Sequence, residues 1–194
     1  PDETTDFDNA KFEVEYVRVY RKGAYIKNPK KPEKMFKEPD ATGNFLNNGD
    51  FAIAEPLDDE TDWSFLLFNG GEGSAEIKDN TLIIYSSKAG TEEYSVQIVQ
   101  PNLPMVKGHS FRISFDAWAD EDRTMITAVT APTAGWIRYL PDTKLNLTTE
   151  KQHFSFDIKM TAKTDNNGRM EFNMGKQKST ATIYIQNVRV EEIQ

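Results

Sequence analysis

The chain has 194 residues, of which 38% are hydrophobic and 28% charged, and its net charge is −8. Its 12 Phe, 7 Tyr and 3 Trp are too much apolar ring to leave in water, so the composition predicts one domain with a hydrophobic core rather than a disordered chain. The acidic charge argues against a nucleic-acid partner, and no apolar segment approaches the roughly 20 residues of a membrane span. The absence of cysteine excludes disulfides, thiol nucleophiles and thiolate metal sites.

The N-terminal part divides into a strand and a linker. Residues 11–21, KFEVEYVRVYR, are rich in Val, Tyr and Phe and predict one β-strand. Residues 22–42 combine repeated Lys with several Pro, which keep a chain extended, and predict a linker. Because a single strand cannot bury its own faces, we expect it to be disordered, to fold back, or to pair two otherwise monomeric molecules as a dimer. The acidic, polar start without a signal peptide indicates a piece of a longer protein.

From Gly43 to Gln194 the pattern is that of an all-β domain. Apolar and polar residues alternate over 111–118, 154–160 and 169–174, as in strands with one buried face. A shift in phase between Ile185 and Val188 predicts a β-bulge. Turn-forming residues separate the alternating segments, at 69–71, 79–80, 107–108 and 165–168. These features predict a two-sheet β-sandwich of jelly-roll type.

The sequence offers little catalytic chemistry. His109 and His153 each lie beside a predicted strand without a nearby Ser or carboxylate partner, so both are expected at the surface. Adjacent acidic residues are typical of solvated turns rather than of a facing catalytic pair. No catalytic residue is predicted.

Polar residues on two predicted strands suit a sugar ligand better. Arg169, Glu171 and Asn173 lie opposite the Met/Phe side of one strand, and Gln97 lies opposite Tyr94, Val96 and Ile98 in another. Such side chains can hydrogen-bond sugar hydroxyls. The same row is equally consistent with a solvated exterior.

Four aromatic residues are candidates for stacking on a sugar ring. Trp136 stands in a polar loop beside Arg138, the setting of an exposed ring. Trp118 lies on the polar phase of its strand, and Phe68 precedes Asn69-Gly70-Gly71. Trp63 opens the apolar run WSFLLF, which favours a core or rim position over direct contact.

Several separated blocks resemble one known family. They are Asn44-Phe-Leu-Asn-Asn-Gly-Asp-Phe51, Tyr94-Ser-Val-Gln-Ile98, Phe111-Arg-Ile-Ser-Phe-Asp-Ala117 and Ile185-Gln-Asn-Val188. Over residues 43–194 the chain resembles carbohydrate-binding modules of family 4 and its relatives in families 9, 16 and 22. The segment FEVEYVRVYRK resembles the last strand of a family 16 glycoside hydrolase, the group of laminarinases and lichenases. The predicted organisation is a hydrolase remnant (1–21), a Lys/Pro linker (22–42) and the module (43–194).

The resemblance implies a jelly roll whose concave sheet binds single β-glucan or xylan chains in a cleft. It implies that Trp136 stacks on the sugar and that side chains on two strands line the cleft. The full candidate set is Trp136, Gln97, Glu171, Asn173, Arg169, Arg138, Trp63, Phe68 and Trp118.

The resemblance also implies a structural calcium between the Asn-Gly-Asp-Phe segment and the C-terminal strand. Asp50 and Asn187 are the candidate ligands here. Gln186 and Ala52 replace acidic residues that relatives often carry, so a calcium ion is possible but no cofactor is required.

The expected function is that of a non-catalytic module of a secreted protein. It would hold soluble β-1,3- or mixed-linkage glucan near an upstream endo-β-glucanase, with cellulose fragments and xylan as further ligands. The alternatives are a β-sandwich spacer or protein-interaction domain without glycan binding, and a hydrolase within this chain. The last lacks the hydrolase's Glu-x-Asp-x-x-Glu motif.

Overall fold

The structure is a computed structural model that describes residues 36–58 and 62–193. The predicted strand 11–21 and the linker up to residue 35 lie outside the described residues. The strands of the described part are β1 (Ser64–Leu67), β2 (Gly71–Lys78), β3 (Thr81–Ala89), β4 (Val96–Met105), β5 (Ser110–Ala119), β6 (Arg123–Ala131), β7 (Ile137–Leu147), β8 (Gln152–Lys159), β9 (Asp165–Asn173) and β10 (Ile183–Ile193). Two short 3-10 turns, Glu93–Ser95 and Pro132–Ala134, precede β4 and β7.

The strands form two antiparallel five-stranded sheets. The front sheet has the order β1-β4-β9-β6-β7, and the back sheet has the order β2-β3-β10-β5-β8. The predicted β-sandwich is thereby confirmed. Consecutive strands often lie in different sheets, so the two sheets are tied together by the chain itself.

The core between the sheets follows the predicted alternation. Phe111, Ile113 and Phe115 of β5 are buried, as is Phe172 of β9. The rings of Phe115 and Phe172 meet edge to face across the sandwich, with centroids 4.9 Å apart. Edge-to-face contact of this kind adds about 0.5–1.5 kcal/mol to the free energy gained by burial. One face of β5 therefore fills the core, whereas β6, in the middle of the front sheet, is buried on both faces.

Trp63 belongs to this core. Its side chain is fully buried, and its ring lies 5.6 Å from that of Phe51 and 6.4 Å from that of Phe172. The indole Nε1 donates to the backbone oxygen of Asn48 at 3.3 Å. Trp63 therefore fastens the segment before β1 to the core. The inclusion of Trp63 among the ligand-binding candidates is wrong, because no face of this ring is accessible.

The bulge predicted near Gln186 is confirmed. The pairing of β10 with β5 shifts register between Gln186 and Arg189, and Asn187 adopts a left-handed backbone with φ 53°. The turn predicted at 165–168 is wrong, because β9 already begins at Asp165. There the Asp165 carboxylate accepts hydrogen bonds from Asn167 N and the Tyr139 hydroxyl, so turn-type residues form an irregular strand start.

Asp116 of β5 holds the bulge in place. Its Oδ2 accepts from Asn187 Nδ2 at 2.7 Å, and its Oδ1 lies 2.7 Å from His153 Nδ1. Burial by itself would raise the pKa of the Asp116 carboxyl, but the hydrogen bonds from Asn187 and His153 outweigh it and lower the pKa. A lowered folded-state pKa stabilises the fold above the unfolded value near 3.9, and this stability is lost as the pH falls through the folded value.

We therefore expect acid to destabilise the parent chain more steeply than an Asp116→Asn variant below about pH 4. The measurement is the free energy of unfolding in urea at a series of pH values. Asp79→Asn is the matched control, since Asp79 lies in the β2–β3 turn with φ 50°, a conformation that Asn adopts readily. Equal slopes for the parent and Asp116→Asn would contradict the expectation.

The described residues include no helix long and apolar enough to span a membrane.

Candidate functional site

A cleft of about 490 Å³ lies on the outer face of the front sheet. Its floor comes from β4 and β9, and its rims come from the turn before β4, the β1–β2 connection and the start of β7. The residues that line it are Phe68, Glu93, Tyr94, Gln97, Trp136, Arg138, Asp142, Arg169, Glu171 and Asn173. The structure thus brings together seven sequence candidates, namely Trp136, Gln97, Glu171, Asn173, Arg169, Arg138 and Phe68.

The floor of the cleft is built around the buried carboxylate of Glu171. Arg169 of the same strand donates to Glu171 Oε1 from Nε at 2.8 Å and from Nη2 at 2.5 Å. The Thr130 hydroxyl of β6 donates to the same oxygen, while Gln97 Nε2 and Asn173 Nδ2 each lie 3.4 Å from Oε2. A buried charge is tolerated only when it is paired and hydrogen-bonded, and Glu171 meets both conditions. Its role is therefore to position the polar groups around it.

The amides of Gln97 and Asn173 complete this floor. Gln97 pairs with Asn173 across β4 and β9, and Gln97 Nε2 donates to Asn173 Oδ1 at 2.6 Å. Both of the hydrogen bonds described for the Gln97 side chain use its Nε2 group. The side chains are thus held in one arrangement before any ligand arrives, which lowers the entropy cost of binding.

Trp136 stands at one rim as an exposed ring. Its side chain is 52% exposed, and the Arg169 guanidinium lies over one face of the indole, 4.8 Å from its centroid. Trp136 has φ 61°, a conformation that costs energy for a non-glycine residue and is often found at functional sites. Arg138 Nη1 donates to Trp136 O at 2.8 Å and fixes the turn. One face of the indole remains for a planar partner.

A pair of aromatic rings lies at the opposite rim, toward β1 and β4. Phe68 and Tyr94 are exposed and pack edge to face with centroids 6.3 Å apart. Sequence alternation placed Tyr94 with the core residues Val96 and Ile98. Tyr94 instead belongs to the 3-10 turn Glu93–Ser95, which interrupts the strand period before β4 begins at Val96. The acidic run around Glu93 was the available signal that this segment is a turn.

Charges in the cleft are mostly paired. Arg169 pairs with Glu171, and Arg138 Nε pairs with Asp142 Oδ1 at 2.8 Å. Among the described lining residues, this leaves Glu93 as the acid without an ion-pair partner and no cation without one. Asp142 and Thr130 were missed by sequence reasoning, since only the pairing of β6 with β7 and β9 brings them to this face. Glu93 was missed because it lies in the 3-10 turn before β4.

Comparison with known proteins identifies the family of the chain and its fold. Residues 43–182 match the family of carbohydrate binding domains CBM_4_9. The chain belongs to this family. The module is therefore a non-catalytic carbohydrate-binding module, and the cleft is its candidate sugar site.

Solved structures similar to the module share its fold. One, described as a CBM4 domain, has 23% identity and a TM-score of 0.69, covering 76% of this chain and 99% of its own. The N-terminal cellulose-binding domain of β-1,4-glucanase C from Cellulomonas fimi has 20% identity and a TM-score of 0.56, covering 68% and 90%. The second N-terminal cellulose-binding domain of that enzyme has 16% identity and a TM-score of 0.56, covering 74% and 93%. No curated protein matches the chain.

Two predicted site residues lie away from the cleft of the module. Trp63 is in the core, as described above. Trp118 lies on the outer face of the back sheet, where its ring stacks on that of Tyr184 with centroids 5.2 Å apart and an interplanar angle of 8°. Lys151 Nζ lies 4.9 Å from the Trp118 ring centroid. The prediction that Trp118 binds the ligand in the cleft is wrong, because its ring lies on the other sheet. The sequence could not show this, since the polar sides of strands in the two sheets have the same pattern.

The two candidate calcium ligands line a separate cavity of about 160 Å³ beside β10. Asp50 Oδ1 accepts from Ala52 N at 3.3 Å, and Asn187 Nδ2 donates to Asp116 rather than turning toward Asp50. The described residues contain no group of three or more His, Asp or Glu arranged to hold a metal ion. Of the two candidates only Asp50 carries a carboxylate, whereas calcium takes 6–8 oxygen ligands, so these two side chains do not make a calcium site by themselves.

Proposed function

We propose that the module binds a single soluble β-glucan chain in the cleft, with β-1,3- or mixed-linkage glucan as the preferred ligand. The observation that carries the proposal is the placement of exposed rings, Trp136 on one side and Phe68 with Tyr94 on the other, around a prearranged floor of amides and carboxylate. A sugar ring has flat apolar faces that suit the aromatic rings and hydroxyls that suit Gln97 and Asn173.

The cleft has room for more than one sugar ring. Arg169 and Asn173 are four residues apart on β9, which corresponds to about 13 Å along the strand. Trp136 lies over Arg169, and Gln97 pairs with Asn173, so the aromatic and amide contacts are spread along this length. A chain rather than a single sugar makes use of them all.

The charge of the cleft favours a neutral ligand. Both arginines are already paired with carboxylates, and Glu93 adds a negative charge. A uronate or sulfated polysaccharide would meet these acids without a free cation, and like charges brought together cost several kcal/mol. A neutral glucan avoids this cost.

A second candidate ligand is a β-1,4-glucan chain. The fold of the module is similar to that of the cellulose-binding domain from Cellulomonas fimi β-1,4-glucanase C. The β-1,3 preference rests on the resemblance of residues 12–22 to a family 16 hydrolase, and those residues lie outside the described part.

We further propose that the module serves a secreted endo-β-glucanase located upstream of it. Tethering would raise the effective concentration of glucan at the enzyme without any new contact to the reacting atoms. The isolated chain should behave as a monomer in size-exclusion chromatography and release no reducing ends from laminarin. Reducing-end release would contradict this assignment.

Affinity electrophoresis tests the ligand. The full chain is run in gels containing laminarin, barley mixed-linkage glucan, soluble cellulose derivative, xylan or polygalacturonate. We expect retardation by the first two, weaker retardation by the cellulose derivative and xylan, and none by the acidic polymer. Trp118→Ala is the matched control, since this ring lies on the back sheet and its loss should leave the retardation unchanged. Unchanged mobility of the parent in every gel would support the spacer alternative instead.

A further inference from the structure

The junction between the segment 40–51 and β10 includes residues 48–51, beside which the family resemblance implies a calcium ion. Three hydrogen bonds already close it. Two join backbone groups, from Phe45 N to Val190 O at 2.9 Å and from Val188 N to Gly49 O at 2.8 Å, and in the third the side-chain Nδ2 of Asn44 donates to Val188 O at 3.0 Å. Asn44 Oδ1 accepts from the backbone nitrogens of Leu46 and Val190 at 3.1 and 2.9 Å. The backbone oxygens of Gly49, Val188 and Val190 and the side-chain oxygen of Asn44 therefore already accept N–H groups.

A guanidinium supplies the positive charge at the same junction. Arg189 Nη2 lies 2.8 Å from Thr42 O, 3.1 Å from Thr42 Oγ1 and 2.6 Å from Glu191 Oε1. A backbone carbonyl, a hydroxyl and a carboxylate are the oxygen types that calcium sites use. Here they surround an arginine.

Asp40, the acidic residue next to this junction, also has hydrogen-bond partners here. Asp40 Oδ1 accepts from Thr42 N, Thr42 Oγ1 and Asn44 N at 2.7–2.9 Å. Hydrogen bonds from Thr42 lower the pKa of the Asp40 carboxyl, and the charge of Arg189 lowers it further. The hydrogen bond with Glu191 raises the pKa of the Arg189 guanidinium, which is a permanent cation in any case.

We propose that the Arg189 guanidinium serves as the internal cation of this junction, so that the module folds and stays folded without a divalent ion. The proposal is independent of what the cleft binds, because the junction lies beside β10 of the back sheet and shares no residue with the cleft.

Thermal unfolding of the full chain, followed by circular dichroism in EDTA and in millimolar calcium chloride, tests the proposal. Millimolar is the range in which extracellular calcium modules bind their ion. We expect the Tm of the parent chain to be the same in both conditions within error. Arg189→Ala should lower the Tm by roughly 3–8 °C, because a hydrogen-bonded charge is lost and Glu191 and Thr42 lose their partner. Calcium should restore part of this loss in the variant alone.

Arg112→Ala is the matched control. Arg112 pairs with Asp157 on the same sheet through two hydrogen bonds of 2.7 and 2.8 Å, but the pair is about half exposed. Its loss should change the Tm by no more than about 2 °C and create no response to calcium. Stabilisation of the parent by calcium, or an Arg189→Ala variant as stable as this control, would overturn the proposal. Should Arg189→Ala fail to fold, the parent measurement still decides.

Discussion

Replacing Trp136 by Ala is expected to weaken β-glucan binding about 10- to 100-fold while leaving the stability of the module within about 0.5 kcal/mol of the parent. The indole is 52% exposed and packs on one face against Arg169, so its removal opens no cavity in the core. The other face is the flat surface on which a sugar would stack. Affinity electrophoresis or calorimetry with laminarin gives the binding change, and urea unfolding gives the stability.

Trp63→Ala is the comparison that separates stacking from packing. Trp63 is fully buried between Phe51 and Phe172, and truncation of such a ring costs about 3–5 kcal/mol. This variant should therefore lose stability first and bind glucan only to the extent that it remains folded. If Trp136→Ala bound laminarin like the parent, the cleft would not be the glucan site.

Glu171→Ala is expected to lower the free energy of unfolding by about 3–5 kcal/mol and to abolish binding as well. The side chain is only 4% exposed. Removing it leaves the Arg169 guanidinium and the Thr130 hydroxyl without their acceptor in the floor of the cleft. Most of this loss of stability comes from leaving the Arg169 guanidinium buried without a carboxylate partner, and less of it comes from the lost attraction between the two charges. Urea unfolding and affinity electrophoresis measure the two effects.

A double-mutant cycle with Arg169 tests this explanation. Removing both members of the pair should cost less than the sum of the single changes, because no unpaired charge is then buried. The matched exposed pair is Arg138–Asp142, whose side chains are 39% and 42% accessible and whose loss should cost at most about 1 kcal/mol. Additive losses at Arg169 and Glu171 would show that Glu171 does not act through this pair.

The fold could be predicted because strand alternation and a phase shift are local properties of the sequence. The buried face of β5 and the bulge at Gln186 both follow from the order of apolar residues. The turn predicted at 165–168 was wrong because it also relied on local residue types. Asp165 and Asn167 are typical turn residues whether the chain reverses there or enters a strand. Only the pairing of β9 with β4 decides between these outcomes.

The cleft could be predicted only in part. Alternation places Gln97, Glu171 and Asn173 on the polar side of their strands, but it cannot show that Glu171 is buried there by Arg169 and Thr130. It also cannot distinguish Trp136 from Trp118, since each stands in a polar context.

The amino-acid sequence alone determined that residues 43–194 are all-β and which side of the alternating strands is apolar. Period-two patterning is a property of the covalent chain. The tertiary structure alone decided which of two outer faces forms a cleft, that Trp63 lies fully inside the core rather than at its rim, and that Arg189 reaches the oxygens of Thr42. These outcomes depend on contacts between residues far apart in sequence, which no local pattern encodes.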